Sequence, residues 1–388
     1  MSGRLRVLVC PQEFKGSLTA AAAAQAIAEG VAAAVADADV RQLPLADGGP
    51  GTVDACLGAG GDRIEVTVTG PLGELVRASY ALFTSGASER EAVIESASAC
   101  GLVLVAPDRR DPSRATTYGV GELLLDALAR GAGRIVVGVG GSGTNDGGAG
   151  AAQALGLRLL DAGGAELGGG VLALARLARI EATGVTPALA GIELRVAVDV
   201  TNPLLGGEGA TAVYGPQKGV RDWELAAFDR ALGRWAERIA RDLGIETAEL
   251  AGAGAGGGLA VGLLAAAHAG GAAASIESGA ALVAEAVGLR AAIDSADLVV
   301  TGEGSLDAQT GYGKTVAYAV SVAAELGRPC LVVAGRIDGL PAGLADAEAS
   351  MPPGVSVEEA MALGAPPIAA AARRLMERWI ERGAAGGS

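Results

Sequence analysis

Short apolar runs that end in glycine-rich loops, several of them followed by an Ala- or Leu-rich stretch of helical length, constrain this chain more than any other feature. RLRVLVC (4–10) reads as a buried strand, and after a loop an Ala-rich helix is expected over 17–35, with Ser17 as its N-cap. VRQLPL (40–45) is the next strand, and strand–loop–helix–strand order builds a parallel α/β unit. Residues 62–97 break the pattern. RIEVTVTG, LVRASYALF and EAVIESAS, split by GPLGE and TSGASE, predict an antiparallel meander. Alternation then resumes with a helix at GVGELLLDALARG, strands at RIVVGV and LRVAVDV (194–200), an amphipathic helix over 223–243, and strands at 297–301 and 330–334. The expected fold class is α/β with two α/β domains: a discontinuous one from 1–60 and 286–388, and an inserted one, 61–285, carrying the meander.

At 388 residues the chain can bury a sizeable core, and half its residues are hydrophobic. A net charge of −14 opposes nucleic acid and anionic membrane as partners, and 3% aromatics leave little on which to stack bases. Cys10, Cys56, Cys100 and Cys330 show neither a zinc spacing nor a disulfide framework, which suits a reducing cytoplasm. The N-terminal apolar run is too short for a signal peptide and breaks at Pro11. An uncharged stretch, 250–276, is long enough for a bilayer but consists mostly of Ala and Gly, so a buried helix with Gly-rich flanks is expected. His268, the sole histidine, lies near its end and reads as a C-terminal cap or core residue. A general base is therefore expected to be a carboxylate or a lysine.

TGEGSLDAQTGYGKT (301–315) ends like an ATP-cradling P-loop, but that motif requires glycine at position 308, which is Ala308. Glu303 and Asp307 still follow a strand end, where parallel α/β folds place ligands. They are candidates to hold Mg²⁺, with Lys314 at a helix start meeting phosphate; a surface turn with solvated charges is the bland alternative. VGVGGSGTNDGGAGAAQALG (137–156) contains Gly-x-Gly-x-x-Gly with Asp161 further on, a dinucleotide fingerprint. GAGAGG (252–257) matches the same pattern in a chain with 62 glycines, so the fingerprint is weak. It supports an anion-holding nest of backbone N–H groups, with Asn145 and Asp146 on the turn. Lysine occurs only at 15, 218 and 314, and asparagine only at 145 and 202, all in loop-like motifs. Asp47 in PLADGGPGT and Asp199 in VAVDVTNPLL close two further strands. Carboxylate loops, three lysines and a Gly-rich nest together suggest Mg²⁺-assisted phosphoryl transfer, which relies on positioning and charge neutralisation.

FKGSLTA, PLADGGPGT, TTYGVGELL, GVGGSGTNDGGAGAAQALG, DVTNPLLGGEGATAVYGPQKG, TGEGSLDAQTGYGKT and PCLVVAGRI occur in this order. In these motifs the chain resembles the bacterial glycerate kinases of the first type over nearly its whole length. The resemblance implies phosphorylation of D-glycerate by ATP with Mg²⁺, commonly to 2-phosphoglycerate. It also implies two α/β domains, one Rossmann-like and discontinuous, with the active site in the cleft between them. On this reading Asp199, then Asp47, is the expected base, and Lys15 neutralises phosphate. Ser17, Gly48, Gly49, Asn145, Asp146, Asn202 and Lys218 are expected at substrate, Gly140, Gly141, Gly302 and Lys314 at the nucleotide, and Glu303 and Asp307 at the metal. The chain departs from the family pattern at Gln12 and Glu13 (usually Asp-Ser), Pro50 (usually Glu) and Ser305 (usually Arg). Those departures leave open the 3-phospho product, a related hydroxy acid as substrate, or a non-catalytic nucleotide- or metabolite-sensing protein on the same fold. The sequence leaves oligomeric state open, a homo-oligomer included.

Overall fold

A computed structural model describes residues 4–85, 89–306, 314–338 and 344–385. The fold is mixed α/β with parallel sheets. Contacts divide the chain into two compact units: Met1–Asp47, Asp54–Ala59 and Ala280–Ser388 form one, Gly48–Val53 and Gly60–Gly279 the other.

The first unit holds a parallel sheet in the order Asp39–Gln42, Arg6–Val9, Leu298–Leu306, Cys330–Ile337, Asp346–Ala349. Counted along this unit the order is 2-1-3-4-5, so it reverses between Arg6–Val9 and Leu298–Leu306. In such sheets ligands bind beyond the carboxyl ends at that switch point. Val7, Val9, Val300, Leu331 and Val333 are fully covered, as expected of parallel strands buried on both faces. Helix Ala20–Ala34 lies against Ala365–Ala385, and a Cβ on Gly30 would overlap Ala369 O and come within 2.7 Å of Ala372 Cβ. The Ala-rich sequence of the first helix is thus a close-approach surface. Its N-cap is Thr19, whose hydroxyl accepts from Ala22 N at 3.2 Å, and not Ser17, which donates to Met361 O at 3.1 Å instead.

The second unit contains the expected meander. Asp62–Thr69, Leu75–Ser85 and Glu89–Glu95 pair antiparallel, and the last continues in parallel through Arg134–Gly138 and Glu193–Ala197 to Ala273–Glu277. The long apolar segment forms helix Leu259–Gly270, buried along nearly its full length, followed by an edge strand. His268 is exposed near the helix end, so it is not a core residue. Among the described residues no helix is long and apolar enough to cross a membrane. Amphipathic helix Asp222–Leu243 buries Phe228, Leu232, Trp235 and Ile239.

Replacing Gly30 with Ala gains about 1 kcal/mol of helix propensity but forces the two helices apart. Overpacking against backbone costs about 1–3 kcal/mol and should win. Gly30→Ala is expected to lower the midpoint of urea unfolding; a midpoint at or above wild type would show that the helices separate freely.

Candidate active site

In the first unit the parallel pairing runs on past Val9. Cys10 N donates to Val300 O and Gln12 N to Gly302 O, each at 2.9 Å, while Thr301 Oγ1 donates to Cys10 O at 2.8 Å. Phe14 is buried, and a tight turn follows in which Ser17 N donates to Phe14 O at 2.8 Å. Gly16 has φ +77°, the left-handed geometry a β-turn of this kind demands, and a Cβ there would overlap Met361 Cε. The turn therefore presents Lys15 at its exposed tip. From the neighbouring strand, Leu45 N donates to Pro11 O at 2.9 Å, and Gln12 Nε2 donates to Asp47 Oδ2 at 2.9 Å. Burial, then the charge of Asp47, pushes the Glu13 carboxyl above its usual range, with Lys15 opposing. Gly302 is glycine for packing: a Cβ would overlap Val333 O. Glu303 is 8% exposed, and Lys314, itself exposed, begins helix Lys314–Glu325. Asp307 lies outside the described residues.

In the second unit two glycine-rich segments meet backbone to backbone. A Cβ on Gly138 would overlap Gly48 O, one on Gly140 would sit 2.6 Å from Gly49 Cα, and one on Gly141 2.9 Å from Pro50 Cγ. Gly140 N donates to Gly48 O at 3.3 Å. Thr52 Oγ1 accepts from Gly48 N at 3.1 Å and donates to Gly49 O at 2.7 Å. Glu95 accepts from Gly51 N at 3.1 Å and Val53 N at 3.4 Å. Gly48, Gly49, Gly140 and Gly141 are thus brought together, in a contact that side chains would prevent.

The turn that follows is braced from inside. Asp146 is wholly buried and accepts from Thr117 N and Oγ1, both at 2.9 Å, and from Gly148 N and Gly150 N, both at 3.2 Å. Burial raises its pKa and these four donors oppose the rise. Asn145 is also wholly buried; its Nδ2 donates to Thr211 Oγ1 at 2.9 Å, while its Oδ1 has no partner among the described residues. Lys218, 2% exposed, donates to Thr144 O at 2.7 Å and Ser142 Oγ at 3.2 Å. Thr211 and Lys218 stand at opposite ends of helix Ala210–Lys218, so one helix clamps the turn twice. Trp235 Nε1 adds a bond to Gly147 O at 2.9 Å.

Asp199, half-buried just past Glu193–Ala197, accepts through Oδ1 from Ser278 Oγ at 3.1 Å and Gly279 N at 3.2 Å. Asn202 Nδ2 donates to Glu208 O at 2.8 Å and its Oδ1 accepts from Tyr214 OH at 2.7 Å, which ties its loop together. The dinucleotide fingerprint fails structurally. Helix Ala149–Ala154 begins eleven residues after Gly138, and Asp161 accepts from Gly163 N and Ala165 N in an exposed turn. All four cysteines are buried without a disulfide, and burial pushes the thiols of Cys10 and Cys100 up to about 12. Sequence reasoning missed Thr117, Thr211, Glu95 and Ser278. The first two sit inside motifs already singled out, whereas nothing in the sequence flagged Glu95 or Ser278.

Comparison with known proteins bears on this arrangement. The model of the glycerate kinase family matches residues 7–380. The chain is 43% identical to a glycerate kinase of Halalkalibacterium halodurans over 95% of this chain and 97% of that one. It is 45% identical to a glycerate kinase of Bacillus subtilis over 86% and 85% of the two chains. It is 42% identical to the glycerate 2-kinase of Escherichia coli over 86% of each. A crystal structure from Salmonella typhimurium LT2, provisionally assigned as glycerate kinase 2, superposes with a TM-score of 0.84 at 40% identity, covering 98% of this chain and all of that one.

Removing the Asp146 carboxylate strands four donors. Asp146→Ala is expected to cost at least about 3 kcal/mol and to lower Tm by roughly 6–12 °C; a melt within 2 °C or so of wild type would contradict the bracing role. Lys218 gives a pH signature. Burial pushes its ammonium down from 10.5 to about 8, with Cys100 and Asp146 opposing. Between those values the folded state holds fewer protons than the unfolded chain, so this group's contribution to stability rises with pH. The stability of wild type relative to Lys218→Met should therefore increase from pH 8 to 10.5, as read by urea unfolding, and a constant difference would refute the burial of the charge.

Proposed function

Since the chain belongs to the glycerate kinase family and is an enzyme that phosphorylates glycerate, we propose that it transfers the γ-phosphoryl group of ATP to the 2-hydroxyl of D-glycerate. The observation that carries this reading is family likeness along nearly the whole chain, and the 2-position follows the Escherichia coli relative. Asp199 takes the proton of the attacking hydroxyl, with Asp47 as the second candidate. Supporting that order, Asp199 is held by a hydroxyl and a backbone N–H, which fix a carboxylate without neutralising it. Lys15 and Lys314 neutralise phosphate charge, for which an exposed, mobile ammonium is suited. The turn carrying Gly140 and Gly141 orients an anion through its backbone N–H groups, while Asn145, Asp146 and Lys218 keep that backbone rigid. Ser17, Gly48, Gly49 and Asn202 shape the substrate loops, and Gly302 lets the nucleotide-side strand lie close to its neighbour.

Mg²⁺ usually takes one or two carboxylates and completes its shell with water and phosphate oxygens. The described residues contain no cluster of three or more candidate ligands, and the hard carboxylate oxygens of Glu303 fit the smaller demand. Glu303 and Asp307 would hold the ion, which would offset charge on the ATP phosphates. The departures at Gln12, Glu13, Pro50 and Ser305 favour testing related hydroxy acids beside glycerate.

With Mg-ATP and D-glycerate, coupling through enolase, pyruvate kinase and lactate dehydrogenase without a mutase should give a glycerate-dependent signal. A signal that needs the mutase would move the phosphate to the 3-hydroxyl, and none in either format would point to another acceptor. Asp199→Asn should lower kcat by roughly 10²–10⁴, the usual range for a general base. Lys15→Met should lower it by about 10² or more. Wild-type turnover in either variant would remove that residue from the chemistry.

A further inference from the structure

Helix Val357–Leu363 is capped within its own sequence yet shallowly seated. Glu359 N donates to Ser356 Oγ at 3.3 Å and Ser356 N donates to Glu359 Oε2 at 2.9 Å, while none of the seven helical residues is buried. The helix nevertheless lies on the turn that presents Lys15. Ser17 Oγ donates to Met361 O at 3.1 Å, and Met361 Cε fills the space that a side chain on Gly16 would take. One residue therefore holds the turn twice, by its carbonyl and by its methyl. Met361 is 37% exposed, whereas Met376 is fully buried, Met351 is half-buried and all four cysteines are buried. Among the described residues it is the sulfur most open to solvent.

We propose that Met361 is a modification site, at which oxidation by a peroxide to the sulfoxide loosens the Lys15 turn and lowers phosphoryl transfer. In that step a sulfur lone pair attacks a peroxide oxygen, an S–O bond forms as the O–O bond breaks, and water leaves. Sulfur gives up two electrons and the peroxide takes them. A polar sulfoxide then stands in place of an apolar thioether. The new oxygen shares its sulfur with the methyl packed on Gly16. It either intrudes on the backbone of the turn or draws the side chain out to water, and both end the contact. Gly16, at φ +77°, has the widest backbone freedom of any residue once nothing rests on it. A misplacement of about 1 Å near reacting groups suffices for a rate loss of about 10²-fold. The proposal rests on the reading above that Lys15 meets phosphate, and the experiment separates failure of the two.

The full-length enzyme is treated with hydrogen peroxide, the excess is removed with catalase, and kcat is measured with Mg-ATP and D-glycerate. Mass spectrometry should place the added oxygen on Met361, and kcat should fall by about 10-fold with both KM values within about 3-fold. Methionine sulfoxide reductases A and B, used together because each accepts one epimer, should restore it. Met361→Leu keeps an apolar side chain without sulfur, and treatment should change its kcat by less than about 2-fold relative to the untreated variant. Met361→Gln, polar and of similar length, should show the loss without peroxide. In a Lys15→Met background Met361→Gln should change kcat by less than about 2-fold, because its effect passes through Lys15. Full turnover with the oxygen on Met361, or an equal peroxide loss in Met361→Leu, would overturn the proposal. If Lys15→Met disables the enzyme while oxidised wild type and Met361→Gln turn over normally, the modification role is wrong and the reading of Lys15 survives. Full activity in Lys15→Met would overturn that reading and the proposal with it.

Discussion

A carboxylate sealed from water is tolerable only when donors surround it, and Asp146 meets that condition with four. The requirement propagates. Thr117 must end one loop just ahead of helix Tyr118–Ala129, and Gly148 and Gly150 must open helix Ala149–Ala154 with their N–H groups turned inward. Gly148 is left-handed, and a Cβ there would overlap Leu259 O, so helix Leu259–Gly270 lies at backbone distance. Thr211, Lys218 and Trp235 then close on the same turn from other elements. The charge itself faces no solvent. Its effect is to make a glycine-rich segment rigid, which glycine by itself cannot do.

The first unit reaches rigidity by a different route. Its sheet reverses order between Arg6–Val9 and Leu298–Leu306, and the segments there are pinned by continued backbone pairing. Lys15 stands out from a turn that only glycine at position 16 permits, and Asp47 accepts from the amide of Gln12.

The three lysines show how far sequence reasoning carries. Their rarity beside many arginines singled them out as one class. Lys15 and Lys314 are exposed and keep the expected freedom, whereas Lys218 is sealed under a turn and bonded to its backbone. Rarity reports that a position is constrained, but burial decides what constrains it. Asn145 and Asp146 belong with Lys218, since their neighbours Thr211 and Thr117 are 66 and 29 residues away in sequence. Glu95 and Ser278 left no local trace, because each acts on a loop that a different part of the chain supplies.

The sequence by itself determined the α/β class, the meander, the buried Ala/Gly helix and the family, because hydrophobic periodicity and long loop motifs are local properties of the chain. It also located the loops that matter. Tertiary structure decided which residues of those loops are turned inward as braces and which outward to solvent. It moved the first N-cap from Ser17 to Thr19 and exposed His268. It turned Gln12, in sequence a mere departure from pattern, into the partner of Asp47. Those outcomes depend on contacts between segments far apart in the chain, and a contact of that kind has no period and no motif to read.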